Sequence, residues 1–174
     1  MAEGEPCDAS RHLDEIAQKG SGIASITCGE ALDEALCHGW SDGQKQSHRE
    51  AYWLQQFTRR GPRSVWSRIN IGHVARLERE GRMGPAGRAA AAAAQADGRW
   101  DRAYASSRTA EMPADFLAAI SGSRRAHECF PALNRSHRYA IVFRLTTAKK
   151  PETRARRLAD LAAQLKRGEP FSLL

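Results

Sequence analysis

Apolar residues recur along this chain at helical spacing almost everywhere, with one stretch that alternates instead. Leu13 and Ile16 lie three apart between Asp8 or Ser10 and Gly20, which predicts a short amphipathic helix over residues 8–20. An extended piece around Ile23 to Ile26 follows. Thr27 and Glu30 then stand as a capping box, in which each side chain satisfies the other residue's backbone donor. They open a helix over 28–38 that buries Leu32, Ala35 and Leu36 and closes at Gly39. Trp40 to Gly43 reads as a turn. Ser47 and Glu50 suit another capping box, but Tyr52 to Thr58 alternates and is rich in aromatics, so a hairpin over 43–58 is preferred.

Arg59 to Arg63 carries Gly61-Pro62 and no period, and so predicts a loop. Asn70 suits the cap of a helix through Glu80, with Val74 and Leu77 inward. Pro85 opens an alanine-rich helix that stops at Asp97-Gly98 and can approach a neighbour closely. Four further helices are predicted over 113–120, 124–133, 137–148 and 151–167. The fold class expected is α+β, predominantly helical: a small N-terminal β element, the hairpin around 43–58, packed with a helical C-terminal half. A length of 174 residues suits a single domain over 1–174.

Charge qualifies that picture. The net charge of +7 is the sum of about −6 over residues 1–58 and about +13 over 59–174. A sub-boundary near 59–63 is therefore expected, between an acidic α+β part and a basic all-helical part. Of the 27 basic residues only 5 are lysine. Arginine forks onto phosphate and carboxylate and stacks on aromatic planes, so an anionic partner suits the composition. A GC-rich genome also raises arginine and alanine together, and accounts for at least half of the excess. No run of 18 apolar residues exists, which excludes a membrane-spanning helix on sequence grounds. The acidic N-terminus is unlike a signal peptide, and four cysteines without CxxC spacing suit reduced thiols, so the expected location is cytoplasmic.

The segments Glu30 to Cys37, Gly39-Trp40, Asp42-Gly43, Pro62-Arg63-Ser64, Trp66-Ser67, Asn70, Gly81-Arg82-Met83, Pro85-Ala86-Gly87, Ala96 to Trp100 and Ala148 to Arg157 stand in a recognisable order. In these the chain, from about residue 20 to 168, resembles the bacterial YdeI/OmpD-associated (OmdA) family, also called bacteriocin-protection proteins. Three positions depart from the family pattern: Cys28 replaces an aromatic, Ser41 an isoleucine and Arg59 a proline. The stretch before Ser21 is shorter than usual, which predicts loss of a strand common in relatives. The resemblance implies a small α+β or mostly helical protein linked to antimicrobial protection. It supplies no catalytic residue.

The strongest candidate ligand-binding constellation joins Trp40 and Asp42 to Arg60, Arg63, Trp66 and Asn70, where indoles and guanidiniums interleave as a stacking and anion-binding surface requires. The plainer reading makes the tryptophans core and the arginine stems their cover. Arg99 and Trp100, followed by Arg102 and Tyr104, either line the same cleft or set Trp100 against the alanine-rich helix, the latter being favoured. Lys149, Lys150, Arg154, Arg156 and Arg157 flank a helix start that suits phosphate, but read better as a solvated face. Cys28, at the first helical position, is the reactive-thiol candidate, although an inert buried thiol is favoured. Asp33-Glu34 reads as surface charge. Adjacent Cys37 and His38 point about 100° apart on a helix and, even with His127 and Cys129, make a poor metal set.

No phosphate loop, dinucleotide fingerprint, HExxH or GxSxG is present, so no catalytic residue and no cofactor is assigned. The function expected is a non-enzymatic cytoplasmic protein of antimicrobial or stress resistance, holding an anionic or aromatic small molecule in an Arg/Trp-lined cleft. Two alternatives stand beside it: an accessory protein that binds nucleic acid non-specifically, and an enzyme using Cys28 or the Trp40/Asp42 cleft.

Overall fold

The computed structural model describes residues 11–169, which divide into two compact units: 11–64 with 70–101, and 65–69 with 102–169. The fold class is α+β and helix-rich. In order along the chain run β1 (Arg11–Ala17), α1 (Cys28–Cys37), β2 (Trp40–Arg49), β3 (Tyr52–Arg59), α2 (Arg68–Arg79), α3 (Pro85–Ala96), α4 (Ala114–Ser121), α5 (Arg124–Ala132), α6 (Arg135–Thr146) and α7 (Pro151–Arg167).

The first unit is built on a three-stranded antiparallel sheet in the order β1-β3-β2. Its first strand corrects an expectation. Of the described residues of the helix predicted over 8–20, Arg11–Ala17 form β1 instead and none is helical, so a strand stands before Ser21, where the loss of one was expected. The pairing runs from Arg11 opposite Thr58 to Ala17 opposite Tyr52, so β1 occupies an edge of β3 that would otherwise leave its amides unpaired. Two apolar residues cannot stabilise so short a helix against that ladder. Spacing of three puts Leu13 and Ile16 on opposite strand faces, which leaves Leu13 exposed and Ile16 buried.

The hairpin around 43–58 forms, but it begins earlier. Trp40 to Gly43, expected as a turn, is the start of β2, and residues 50–51 make the turn instead. Gln55 is buried opposite an irregularity of β2 between Asp42 and Lys45, where its Nε2 donates to the carbonyls of Gly43 (3.2 Å) and Gln56 (2.9 Å). The α1 capping box forms as expected: Thr27 Oγ1 accepts from the Glu30 amide and Glu30 Oε2 accepts from the Thr27 amide at 2.8 Å. Helix α1 lies on the sheet, its Ala31 clustering with Ile16 and Phe57 of the strands, and Ala35, Trp40 and Trp53 pack against that cluster.

Close approach of α1 and α3 depends on glycine. A Cβ at Gly87 would lie 2.5 Å from the Cys37 carbonyl oxygen and 2.6 Å from that of Leu36, and one at Gly39, whose φ is +78°, would lie 2.9 Å from the Ala86 carbonyl oxygen. Two backbones meet there with no room for a side chain.

The second unit is helical. Phe116, Ile120, Ala126, Ile141, Leu145, Leu161, Ala162 and Leu165 form one apolar core contributed by α4 to α7. Arg154 and Arg157 were expected on a solvated face, yet both are half-buried. Arg154 pairs with Asp115, and Arg157 Nη1 donates to the Arg144 carbonyl at 2.7 Å, so these guanidiniums tie α7 to α4 and α6. Residues 65–69 join this unit through a parallel bridge between Ser67 and Tyr104: the Tyr104 amide donates to Trp66 and the Arg68 amide to Tyr104. That bridge coincides with a start of α2 at Arg68, before the expected cap. Asn70 therefore lies inside the helix, buried.

Candidate functional site

The residues singled out from sequence do not share one role. Asp42 and Asn70 come together, Asn70 Nδ2 donating to Asp42 Oδ1 at 3.1 Å. Arg60 Nη2 donates to Ser41 Oγ at 2.9 Å. Arg99, only 9% exposed, is spent on internal bonds: its Nε reaches the Asp97 carboxylate and its Nη1 donates to the carbonyls of Gly61 and Ser64, both at 3.0 Å. It thereby pins the loop that carries exposed Arg63. Trp100 is half-buried beyond α3, its amide donating to the Ala94 carbonyl. Trp66 is fully buried and belongs to the second unit. Trp40 lines a different cavity, with His12, Glu34 and Phe57.

Cys28 heads α1, half-buried, its thiol 3.9 Å from Gln55 Oε1. Asp33 overturns the surface-charge reading. Its side chain is 12% exposed and receives His73 Nδ1 at 2.7 Å and Arg76 Nη2 at 2.6 and 2.5 Å. Burial alone would raise this carboxyl, but the hydrogen bonds and charges of Arg76 and His73 outweigh it and hold the group below the usual carboxylate range. Sequence alone gave no sign of this, because the partners stand about 40 residues away.

A cavity of about 590 Å³ lies in the second unit. Met112, Leu117, Phe130 and Leu133 give it apolar walls, and Arg108, Arg135 and Arg138 bring three guanidiniums to it. Asn134 caps α6 by accepting from the His137 amide at 2.9 Å, which fixes the helix start. From there Arg135, Arg138, Tyr139 and Val142 fall at i, i+3, i+4 and i+7, one face of α6, and all four line the cavity. Arg138 lies over the Phe130 ring, 5.3 Å from its centroid, and donates to the Pro131 carbonyl at 2.8 Å. Arg108 and Arg135 form no ion pair among the described residues.

Tyr139 donates its hydroxyl to the Ala105 carbonyl at 3.1 Å. Burial, and after it the neighbouring Tyr104, pushes its phenol above the ordinary tyrosine range, so at neutral pH it is an uncharged donor. The site thus combines apolar surface, an aromatic face and positive charge, which is what an amphiphilic anion needs. Sequence reasoning passed over these residues, although the α6 spacing carried the signal. No helix among the described residues is long and apolar enough to cross a membrane.

Comparison with known proteins divides the chain in a similar way. No curated protein and no solved structure matches it significantly. Residues 10–90 match a family described only as a domain of unknown function, DUF8412. Residues 109–168, which contain α4 to α7 and most of the arginine-lined cavity, match OmdA, described as bacteriocin-protection, YdeI or OmpD-associated; over that segment the chain is similar to the OmdA family.

Proposed function

We propose that this is a non-enzymatic binding protein of antimicrobial protection, acting in the cytoplasm, which sequesters an anionic molecule with an aromatic or apolar body in the cavity of its helical unit. The observation that carries this reading is the convergence of Arg108, Arg135 and Arg138 on apolar walls within the OmdA segment. A cavity of about 590 Å³ suits a small molecule. The family description supplies the protective role; the cavity supplies the chemistry of what is held.

The test is titration with 1-anilinonaphthalene-8-sulfonate, an aromatic anion whose fluorescence rises on transfer to an apolar site. The native protein is expected to bind it at one site, and Arg135→Ala and Arg138→Ala are each expected to weaken binding about fivefold or more with melting unchanged. Unaltered binding in both variants would refute the site. The net charge of +7 favours a second reading, non-specific nucleic-acid binding. Salt separates the two: neutralising several phosphates gives affinity that falls steeply with log salt, whereas the aromatic anion, held partly by apolar contact, is far less sensitive.

A further inference from the structure

The first unit holds a cavity of opposite character. It has a volume of about 380 Å³ and lies between α1 and the helix-facing side of the sheet, where Trp40 and Phe57 supply its aromatic surface. Asp14 reaches it from β1 and Glu34 from α1. Among its described lining residues there is no lysine or arginine, so the two carboxylates are its only fixed charges. Each is held by an imidazole at the same cavity: His12 Nε2 lies 2.7 Å from Asp14 Oδ1, and His38 Nε2 lies 3.1 Å from Glu34 Oε1. An imidazole carrying its hydrogen on Nε2 donates a hydrogen bond to the carboxylate it faces and so fixes its position. Arg82 Nη2 lies 3.7 Å from Glu34 Oε2. Asp14 is the less exposed of the two, at 33%.

Aromatic rings present a negative face to a cation, and a carboxylate beside them adds attraction that a neutral ligand cannot use. An alkylated ammonium group has an apolar surface for such walls and a diffuse positive charge, so its desolvation cost is lower than that of a primary amine. We propose that this cavity binds a soluble small molecule bearing an alkylated ammonium group, the cation lodged against Trp40 and facing Asp14 and Glu34. The site takes a ligand of opposite charge to that of the helical unit, and it stands or falls independently.

Benzyltrimethylammonium is the probe, followed by nuclear magnetic resonance at the Trp40 indole N–H and the Ala31 and Ala35 amides, with benzyl alcohol and benzoate as neutral and anionic controls. The cation should shift these resonances and the controls should not. Asp14→Asn with Glu34→Gln should weaken the cation about tenfold, and Trp40→Leu should do the same. If Trp40→Leu fails to fold, the carboxylate pair still decides, since both of its side chains are at least one-third exposed. Equal binding of benzyl alcohol, or unchanged cation affinity in the double variant, would overturn the proposal. A vesicle arm distinguishes a free ligand from a choline headgroup: binding to phosphatidylcholine vesicles without binding of the free cation would overturn the assignment to a soluble ligand.

Discussion

The two units use arginine in opposite ways. In the sheet unit the guanidiniums are largely consumed by the protein itself: Arg99 by Asp97 and two carbonyls, Arg76 by Asp33 and Glu80, Arg88 by Glu78. In the helical unit Arg154 and Arg157 are likewise structural, but Arg108, Arg135 and Arg138 border a cavity with apolar walls. A cluster of arginines in the sequence therefore says little until the acceptors are known. What marks a binding site is a cation beside apolar surface without a carboxylate already seated on it.

The contrast extends to stability. The helical unit rests on an apolar core, so Phe116→Ala should cost about 3–5 kcal/mol, the largest effect expected here, measured by denaturant unfolding. The sheet unit adds a buried ionic knot. Asp33→Asn should cost about 1–3 kcal/mol, since it weakens charge-assisted bonds to Arg76 and His73. Because the folded-state carboxyl is held below its ordinary value, its contribution is present above about pH 4 and is lost as pH falls through the folded value. Acid unfolding of Asp33→Asn should accordingly show a shallower loss of stability below that pH than the native protein. Identical acid profiles would show that the knot carries no linked protons.

Binding comes next in size. Arg60→Ala and Arg63→Ala set against Arg135→Ala and Arg138→Ala compare the loop suggested by sequence with the cavity suggested by structure. Loss of the aromatic anion only in the second pair is the expected result, with melting of exposed Arg63→Ala within about 0.5 kcal/mol of the native protein. Loss only in the first pair would return the site to the sheet unit. The smallest effect concerns the thiols. Burial, then the charge of Glu34, pushes the Cys37 thiol up, while Cys28 is half-buried at a helix start. Iodoacetamide should label Cys28 several-fold faster than Cys37 by peptide mapping, and equal slow labelling would end any role for Cys28 as a nucleophile.

Sequence was most informative where the signals are local. The Thr27/Glu30 capping box, Pro85 and Pro151 at helix starts, and Gly168 with φ +69° after α7 each act within one turn, and the helices they bound stand where expected. It failed where a distant partner decides. Leu13 and Ile16 have helical spacing, but the edge of β3, some 40 residues on, makes their segment a strand. Asp33 looks solvated until α2 brings His73 and Arg76 to it. Of the candidate site, the arginine content was legible and the placement was not, since which guanidiniums meet a carboxylate is a property of the folded chain.

The bridge between Ser67 and Tyr104 bears on how the protein can be cut. The chain visits the helical unit for five residues, returns to complete the sheet unit, and only then goes back for good. Residues 109–168, the piece that matches OmdA, leave out Tyr104, whose ring packs edge-on against Phe143 at 5.0 Å, and Ala105, whose carbonyl accepts from the Tyr139 hydroxyl. Cleavage just before Tyr104, between 101 and 104, should give two fragments that remain associated, because residues 65–69 on one of them pair with Tyr104 on the other. Engineering of the arginine-lined cavity is accordingly best done in the uncut chain.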